Sequence, residues 1–226
     1  EFKPLTKTFT PYRSNSNNTD SACNVIRCMI EDSKGFLWLG SSGGGLLKFN
    51  PFTSTFKQCN FQKKNYKIRG KNNILCLFED SNKNLWVGSR GGLLKFDPVN
   101  EQFTPYHTQS RISNNISSNN VIAIIEDPNG LLWICTEEMG LNLFNPQSEY
   151  FSHYLYNPDI ATTISSNLLI SIYQDKSGQI WIGTADKGIN IHDPLSTGFA
   201  LIKYDKQNYH KYSIRSVIED KHHNLW

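Results

Sequence analysis

No run of apolar residues in this chain approaches the roughly 18 that a membrane-crossing helix needs. No basic stretch followed by an apolar core opens it either, so it shows no secretory leader. The chain starts without Met and stops on a Trp in the middle of a recurring phrase. It reads as an excised piece, so missing targeting segments say nothing about the parent. Charge of either sign is scarce in excess: 23 Lys and Arg against 20 Asp and Glu leave +3, too little to imply nucleic acid or an anionic membrane as partner. Five cysteines, an odd number, do not make a disulfide framework, although Cys23 and Cys59 lie where they could pair in an oxidising compartment. Gly43-Gly44-Gly45 lacks the Gly-Lys-Ser/Thr and following helix of a phosphate loop. His222-His223 has no His or Cys at ligand spacing beside it, and His107, His153 and His210 fit no Ser-His-Asp arrangement. No metal, cofactor or catalytic residue is expected.

What the sequence does have is a phrase. It is cleanest at residues 79–98, Glu79-Asp80 through Trp86, Gly88, Gly91-Gly92 and Phe96-Asp97-Pro98. The five tryptophans, Trp38, Trp86, Trp133, Trp181 and Trp226, are spaced by 48, 47, 48 and 45 residues. Each lies six residues after an Asp: Asp32, Asp80, Asp127, Asp175 and Asp220. Self-similarity at such a period marks a solenoid or propeller. With 226 residues the chain buries a large core without staples.

Each repeat reads as four strands. The first (74–78, 121–125, 169–173) is apolar at nearly every position, so both of its faces must be covered, as in an inner propeller strand. Its central column, Cys28, Cys76, Ala123, Ser171 and Ser216, is always small, which lets such strands crowd one axis. A turn opened by Asp and closed in three repeats by Gly follows. The second strand carries Trp as a structural wedge, then Gly, which Cys135 replaces for reasons of space. A turn around Gly44-Gly45, Gly91-Gly92, Gly140 or Gly188 leads to a third strand that Pro stops after Phe49, Phe96, Phe144 and the variant His192. Phe56, Phe103, Phe151 and Phe199, seven residues on, place an outer fourth strand. The fold class is therefore all-β: a propeller of four-stranded antiparallel blades, with repeats at about 26–73, 74–120, 121–168 and 169–213. Partial repeats occupy 1–25 and 214–226. The segment around Phe9 is expected to be an outer strand of a preceding blade, and 214–226 the inner strands of a fifth.

These columns resemble the two-component regulator propeller repeat, Asp-x-x-Gly-x-Leu-Trp-Ile-Gly-Thr-x-x-Gly-Gly-Leu-x-x-Phe-Asp-Pro, which residues 80–98 and 175–194 follow almost position by position. Departures are Cys135 for Gly, Met139 for the first turn Gly, His192 for Phe, and Asn84 in a repeat without the turn Gly. The resemblance implies the periplasmic sensor region of a membrane-spanning hybrid histidine kinase of the Bacteroidetes type. Such propellers are usually seven-bladed and often paired. They precede an immunoglobulin-like domain, a membrane helix and the kinase. The implied partners are an oligosaccharide ligand, the remaining blades, the downstream signalling domains and a second copy in a homodimer.

Two other classes share the fold: a protein-binding scaffold and a propeller lyase. The paired acids at Glu31-Asp32, Glu79-Asp80, Glu126-Asp127 and Glu219-Asp220 recur in nearly every repeat, which suits a turn and not a single catalytic centre. If ligand touches this chain, contacts should come from residues that break the repeat on the face shared by the second-to-third-strand turns and the connections between blades. Those are Arg90, Glu137, Glu138, Asp186 and Lys187, with Arg27 and Arg215 replacing apolar residues of the inner strand. Charged groups there suit hydroxyl-rich or acidic sugars. Asn24, Asn72, Asn119 and Asn167 form a column on the same face and are read as loop-fixing.

Overall fold

An inner strand with no hydrophilic side can only sit between neighbours, and four such strands lie side by side at the centre of this molecule. They are β3 (Ile26–Glu31), β7 (Ile74–Glu79), β11 (Val121–Glu126) and β15 (Leu169–Gln174), each packed against the next. The structure, a computed structural model, describes residues 2–3, 6–12, 23, 25–59, 61, 68–109, 114–202 and 213–226. Asn24, the 15–21 loop and His210 lie outside them.

From each inner strand the chain winds outward as an antiparallel meander. Blade 1 continues with β4 (Leu37–Ser41), β5 (Leu46–Asn50) and β6 (Thr55–Cys59). Blade 2 has β8 (Leu85–Ser89), β9 (Gly92–Asp97) and β10 (Gln102–Tyr106). Blade 3 has β12 (Leu132–Thr136), β13 (Leu141–Asn145) and β14 (Tyr150–Tyr154). Blade 4 has β16 (Ile180–Thr184), β17 (Ile189–His192) and β18 (Phe199–Ile202). In every blade the inner strand slips register once, between Ile26 and Cys28, Ile74 and Cys76, Val121 and Ala123, and Leu169 and Ser171. The bulge adds twist where the strands converge, and no feature of the apolar run announces it.

The blades are glued by their tryptophans. Three of them meet the third-strand ring of the next blade: Trp38 to Phe96 at 5.4 Å, Trp86 to Phe144 at 5.7 Å and Trp133 to His192 at 5.1 Å between centroids. His192 thus fills a Phe position as an aromatic disc. Apolar clusters centred on these contacts join blade 1 to 2, 2 to 3 and 3 to 4. The glycine column is set by close approach. A β-carbon on Gly88 would overlap Cys76 Sγ across the ladder and Val121 of the next inner strand, and one on Gly40 would meet Cys28 Sγ and Ile74. Where the cross-strand partner is Ala123, the column accepts Cys135. Cysteine usage in these columns is therefore volumetric, and Cys28, Cys59, Cys76 and Cys135 are free thiols.

At the N-terminal end, β1 (Phe2–Lys3) pairs with β2 (Thr8–Phe9). Lys7 has φ 52°, matching Ser54, Glu101 and Glu149 at 54°, 52° and 53°, each two residues before the outer-strand Phe. Tyr12 lies 5.1 Å from Phe49, as Tyr106 lies 5.0 Å from Phe144 of the following blade. The segment thus holds the outer-strand position of a preceding blade. Inside it, a cavity of 710 Å³ opens onto Leu37, Leu39, Leu47 and Phe49. At the other end the expected fifth pair of strands is reduced to one bridge, Glu219 to Leu225. Ile218 and Trp226 remain 58% and 75% exposed, and without a third strand or a following blade the pairing has nothing to pack on.

Candidate functional site

The recurrent Asp and Trp are two halves of one clamp. The indole Nε1 donates to the carboxylate six residues earlier in all five repeats: Trp38 to Asp32 and Trp86 to Asp80 at 2.8 Å, Trp133 to Asp127 at 3.1 Å, Trp181 to Asp175 at 2.7 Å and Trp226 to Asp220 at 3.1 Å. The other carboxylate oxygen accepts backbone N–H groups of the turn, such as Lys34 and Phe36 onto Asp32. Three of the roughly four acceptor sites of Asp32 are thereby taken up inside its own turn. In Asp175 burial works against the charge, but the bonds from Ser177 and Trp181 win and hold the carboxyl below its usual range. Sequence spacing displayed this pair without saying that the two residues touch.

Three of the glutamates that precede these Asp residues, Glu79, Glu126 and Glu219, work between blades. Glu79 accepts from Ser33 N (2.9 Å) and Ser33 Oγ (3.1 Å), and Glu126 from Ser81 N (2.6 Å) and Ser81 Oγ (2.8 Å). Glu219 accepts from Lys176 N at 3.2 Å and from His223. The hydrogen bond with His223, then the Lys176 N–H, hold its carboxyl below the ordinary range against the pull of burial. His223 is thereby a turn residue. His153 Nδ1 bonds Asn142 Oδ1 at 2.9 Å, and burial lowers the pKa of both His107 and His153. No group of three or more His, Cys, Asp or Glu among the described residues is arranged to hold a metal. Burial also raises the thiols of Cys28 and Cys59 to about 11.

On the opposite face lie the residues singled out for ligand contact. Arg90 is exposed in the β8–β9 turn, Glu137 and Glu138 are exposed after β12, and Asp186 and Lys187 are half-buried after β16. Arg90 N and Glu137 N extend the inner edge of their blades, donating to Asn73 O and Asn120 O at 3.0 Å each, so these turns form one ring. Arg27 occupies the bulge of β3 and is exposed; Arg215 is exposed before the bridge at Glu219. Asp186 Oδ1 is buried with no hydrogen-bond partner among the described residues. Lys187 lines a 220 Å³ pocket with Tyr156, Ile160 and Ser165 of the connection into blade 4. The ring is thus shared by turns of successive blades, with Lys187 the member drawn into a concavity. The asparagine column ties loops together: Asn72 O accepts from Gly43 N and Gly45 N, Asn119 O from Gly92 N, and Asn167 O from Gly140 N. Asn119 and Asn167 side chains also accept from Thr108 N and Tyr156 N.

The family profile described as two component regulator propeller matches residues 20–43, 69–91, 115–138 and 163–186, once per blade. Among solved structures the fold is similar to the extracellular domain of a putative hybrid two component system from B. thetaiotaomicron, with 22% identity and a TM-score of 0.71 over 89% of this chain and 28% of that one. A second such domain from the same organism gives 18% identity and a TM-score of 0.51, covering 90% of this chain and 38% of that one. Virginiamycin B lyase from Staphylococcus aureus gives 12% identity and a TM-score of 0.66, covering 89% and 62%. At these identities the likeness is one of fold. This chain spans between a quarter and two fifths of the length of the two sensor domains. No curated protein matches it.

Proposed function

Because this chain carries four copies of the two component regulator propeller repeat, we propose that it forms part of the extracytoplasmic sensor region of a membrane-anchored histidine kinase that responds to oligosaccharides. The observation that carries the reading is the repeat itself, one copy per blade, on a fold similar to extracellular domains of hybrid two component systems. The repeated acids support a sensing and not a catalytic role, because all five Asp residues are engaged by a turn and Glu79, Glu126 and Glu219 by blade-to-blade bonds. The likeness to the lyase is shared architecture, and fold does not transfer chemistry.

The ligand contacts in this reading come from the ring of turns that holds Arg90, Glu138 and Lys187, with Arg27 beside it. Guanidinium groups there favour sugars bearing carboxylate or sulfate, since the planar fork matches an oxyanion. The rest of the chain is a rigid frame. The test is autophosphorylation of the complete parent protein in membrane vesicles challenged with fractionated oligosaccharides, with calorimetry of its whole sensor region on the active fraction. We expect Arg27→Ala, Arg90→Ala or Glu138→Ala to weaken binding about ten-fold or more, each such factor being about 1.4 kcal/mol. Unchanged affinity in all three removes this face. A parent reading frame without membrane helix or kinase sinks the sensor reading altogether.

A further inference from the structure

The boundaries between blades are not alike. On the face of the Asp turns, the 1–2 boundary is bridged twice, by Glu79 with Ser33 and by Lys57 with Glu101. The 2–3 boundary is bridged through the equivalent glutamates, by Glu126 with Ser81 and by Tyr106 Oη donating to Glu149 at 2.9 Å. The 3–4 boundary has neither. Pro128 stands where Ser33 and Ser81 stand, offering no N–H and no hydroxyl. Gln174 replaces the glutamate and turns to its own blade, donating to Gly178 O at 3.3 Å. Thr197 replaces Glu101 and Glu149 and does not share their left-handed backbone. A further departure falls at the same place. Lys48 and Lys95 lie 5.1 and 5.5 Å from the rings of Trp38 and Trp86, whereas Leu143 takes that position in blade 3. Where these losses converge, a groove of 890 Å³ separates the blades.

We infer that this groove, between blades 3 and 4 on the face of the Asp turns, binds a neutral, hydroxyl-rich ring such as one pyranose unit. Its walls are apolar and aromatic: Leu131, Trp133, Leu143 and Ile180 line it, with Tyr154 stacked 5.7 Å from Trp133 and His192 on the other side. Several of its polar groups are uncommitted, although Ser177 and Ser196 spend their hydroxyls on Asp175 and on Asp193 O. Tyr106 spends its hydroxyl on Glu149, but the hydroxyl of Tyr154 makes no hydrogen bond among the described residues. His192 Nδ1 donates to Gly198 O at 3.0 Å, so Nε2 is the ring nitrogen left for a ligand hydroxyl. Among the described residues the side-chain amides of Asn129 and Gln179 make no hydrogen bond either, and Asp193 has one carboxylate oxygen without a donor. A pyranose presents a C–H face to apolar walls and hydroxyls that both donate and accept, which this mixture answers. Among the described residues no Lys or Arg lines the groove, so an anion finds no counter-charge there, and Asp127 is already engaged by Trp133 and its turn. In a meander the first and third turns of a blade lie at one end, so this site is opposite the ring of charged turns. It needs only the fold and stands apart from the sensor proposal.

The test follows the five indole N–H signals of the full ¹⁵N-labelled chain, assigned by triple resonance. The probes are methyl glucoside, galactoside and mannoside, with glucuronate and methylammonium as charged controls. The expected result is a saturable shift of the Trp133 signal alone, with at least one neutral glycoside, at a dissociation constant near the millimolar range. A combined Pro128→Ser, Gln174→Glu and Thr197→Glu variant restores both bridges of the other boundaries; it should be at least as heat-stable as the parent and lose the glycoside by about ten-fold or more. Tyr154→Phe, which removes one hydroxyl and keeps the stack, should weaken binding about three- to ten-fold and decides the matter if the triple variant does not fold. The inference is overturned if no neutral glycoside moves the Trp133 signal, if only a charged probe does, or if Tyr154→Phe leaves affinity unchanged.

Discussion

Replacing Asp80 tests whether the Asp–Trp clamp or simple burial of tryptophan holds each blade. Asp80 is 3% exposed and Trp86 is fully buried. The carboxylate accepts from Trp86 Nε1 and Asn84 N, both at 2.8 Å, and from the Asn84 amide. Asp80→Ala leaves the fully buried indole N–H and the half-buried Asn84 backbone N–H without their acceptor. An orphaned buried donor costs about 1–3 kcal/mol, and bonds to a charged group lie at the upper end. Two of them bring the loss to roughly 3–5 kcal/mol, a large part of the about 5–15 kcal/mol that holds a typical domain. With a urea slope of about 2–3 kcal/mol per molar, the midpoint falls by about 1–2 M. Asp80→Asn should be nearly as damaging, because its NH₂ must point at one of the two donors. Asp220→Ala breaks the same bonds around a Trp226 that is 75% exposed, where water takes over, so its midpoint should scarcely move. Equal shifts for Asp80→Ala and Asp220→Ala, or a neutral Asp80→Asn, would falsify the argument.

Lys83 has φ 65° at the turn position that Gly35, Gly130 and Gly178 occupy in other repeats; Lys83→Gly should raise stability by roughly 0.5–1 kcal/mol in urea melts, the strain removed exceeding the added chain entropy. Gly88→Ala should cost about 1–3 kcal/mol by overpacking against Cys76 and Val121. Adding Cys76→Ala should recover part of that loss, as Ala123 accommodates Cys135, and no recovery would count against a volumetric column. Burial depresses the pKa of His107 and His153, so they favour folding when neutral. Their contribution is complete above the ordinary value of about 6.5 and drains away as pH falls through the folded values. Melting temperature should therefore decline between pH 7 and 5, and a flat profile would show that these imidazoles stay neutral at no cost or charge without consequence.

Blade number within the chain, strand order and the wedge role of Trp were legible because a repeat multiplies weak signals: each column is read four or five times, and chemistry needed once does not recur. The Asp turns were legible for the same reason, and so were the stop at Pro and the small inner column. What stayed hidden is contact across repeats. Glu79 and Ser33 are 46 residues apart, and nothing local in either names the other. Trp86 and Asp80 are close in sequence, yet only the turn geometry brings the indole back onto the carboxylate. The bulge at Arg27 comes from the convergence of strands on an axis, which no single strand encodes.

The departures show the division most plainly. Pro128, Leu143, Gln174, His192 and Thr197 are scattered over 70 residues of sequence, and each alone is an unremarkable break in a column. By itself the sequence determined that four blades form, because apolar period, turn chemistry and close-packing size are local demands. That these breaks share one boundary and leave one groove was decided only by the tertiary structure, because a blade's partners are set by the rotation that stacks it on its neighbours and not by its distance from them along the chain.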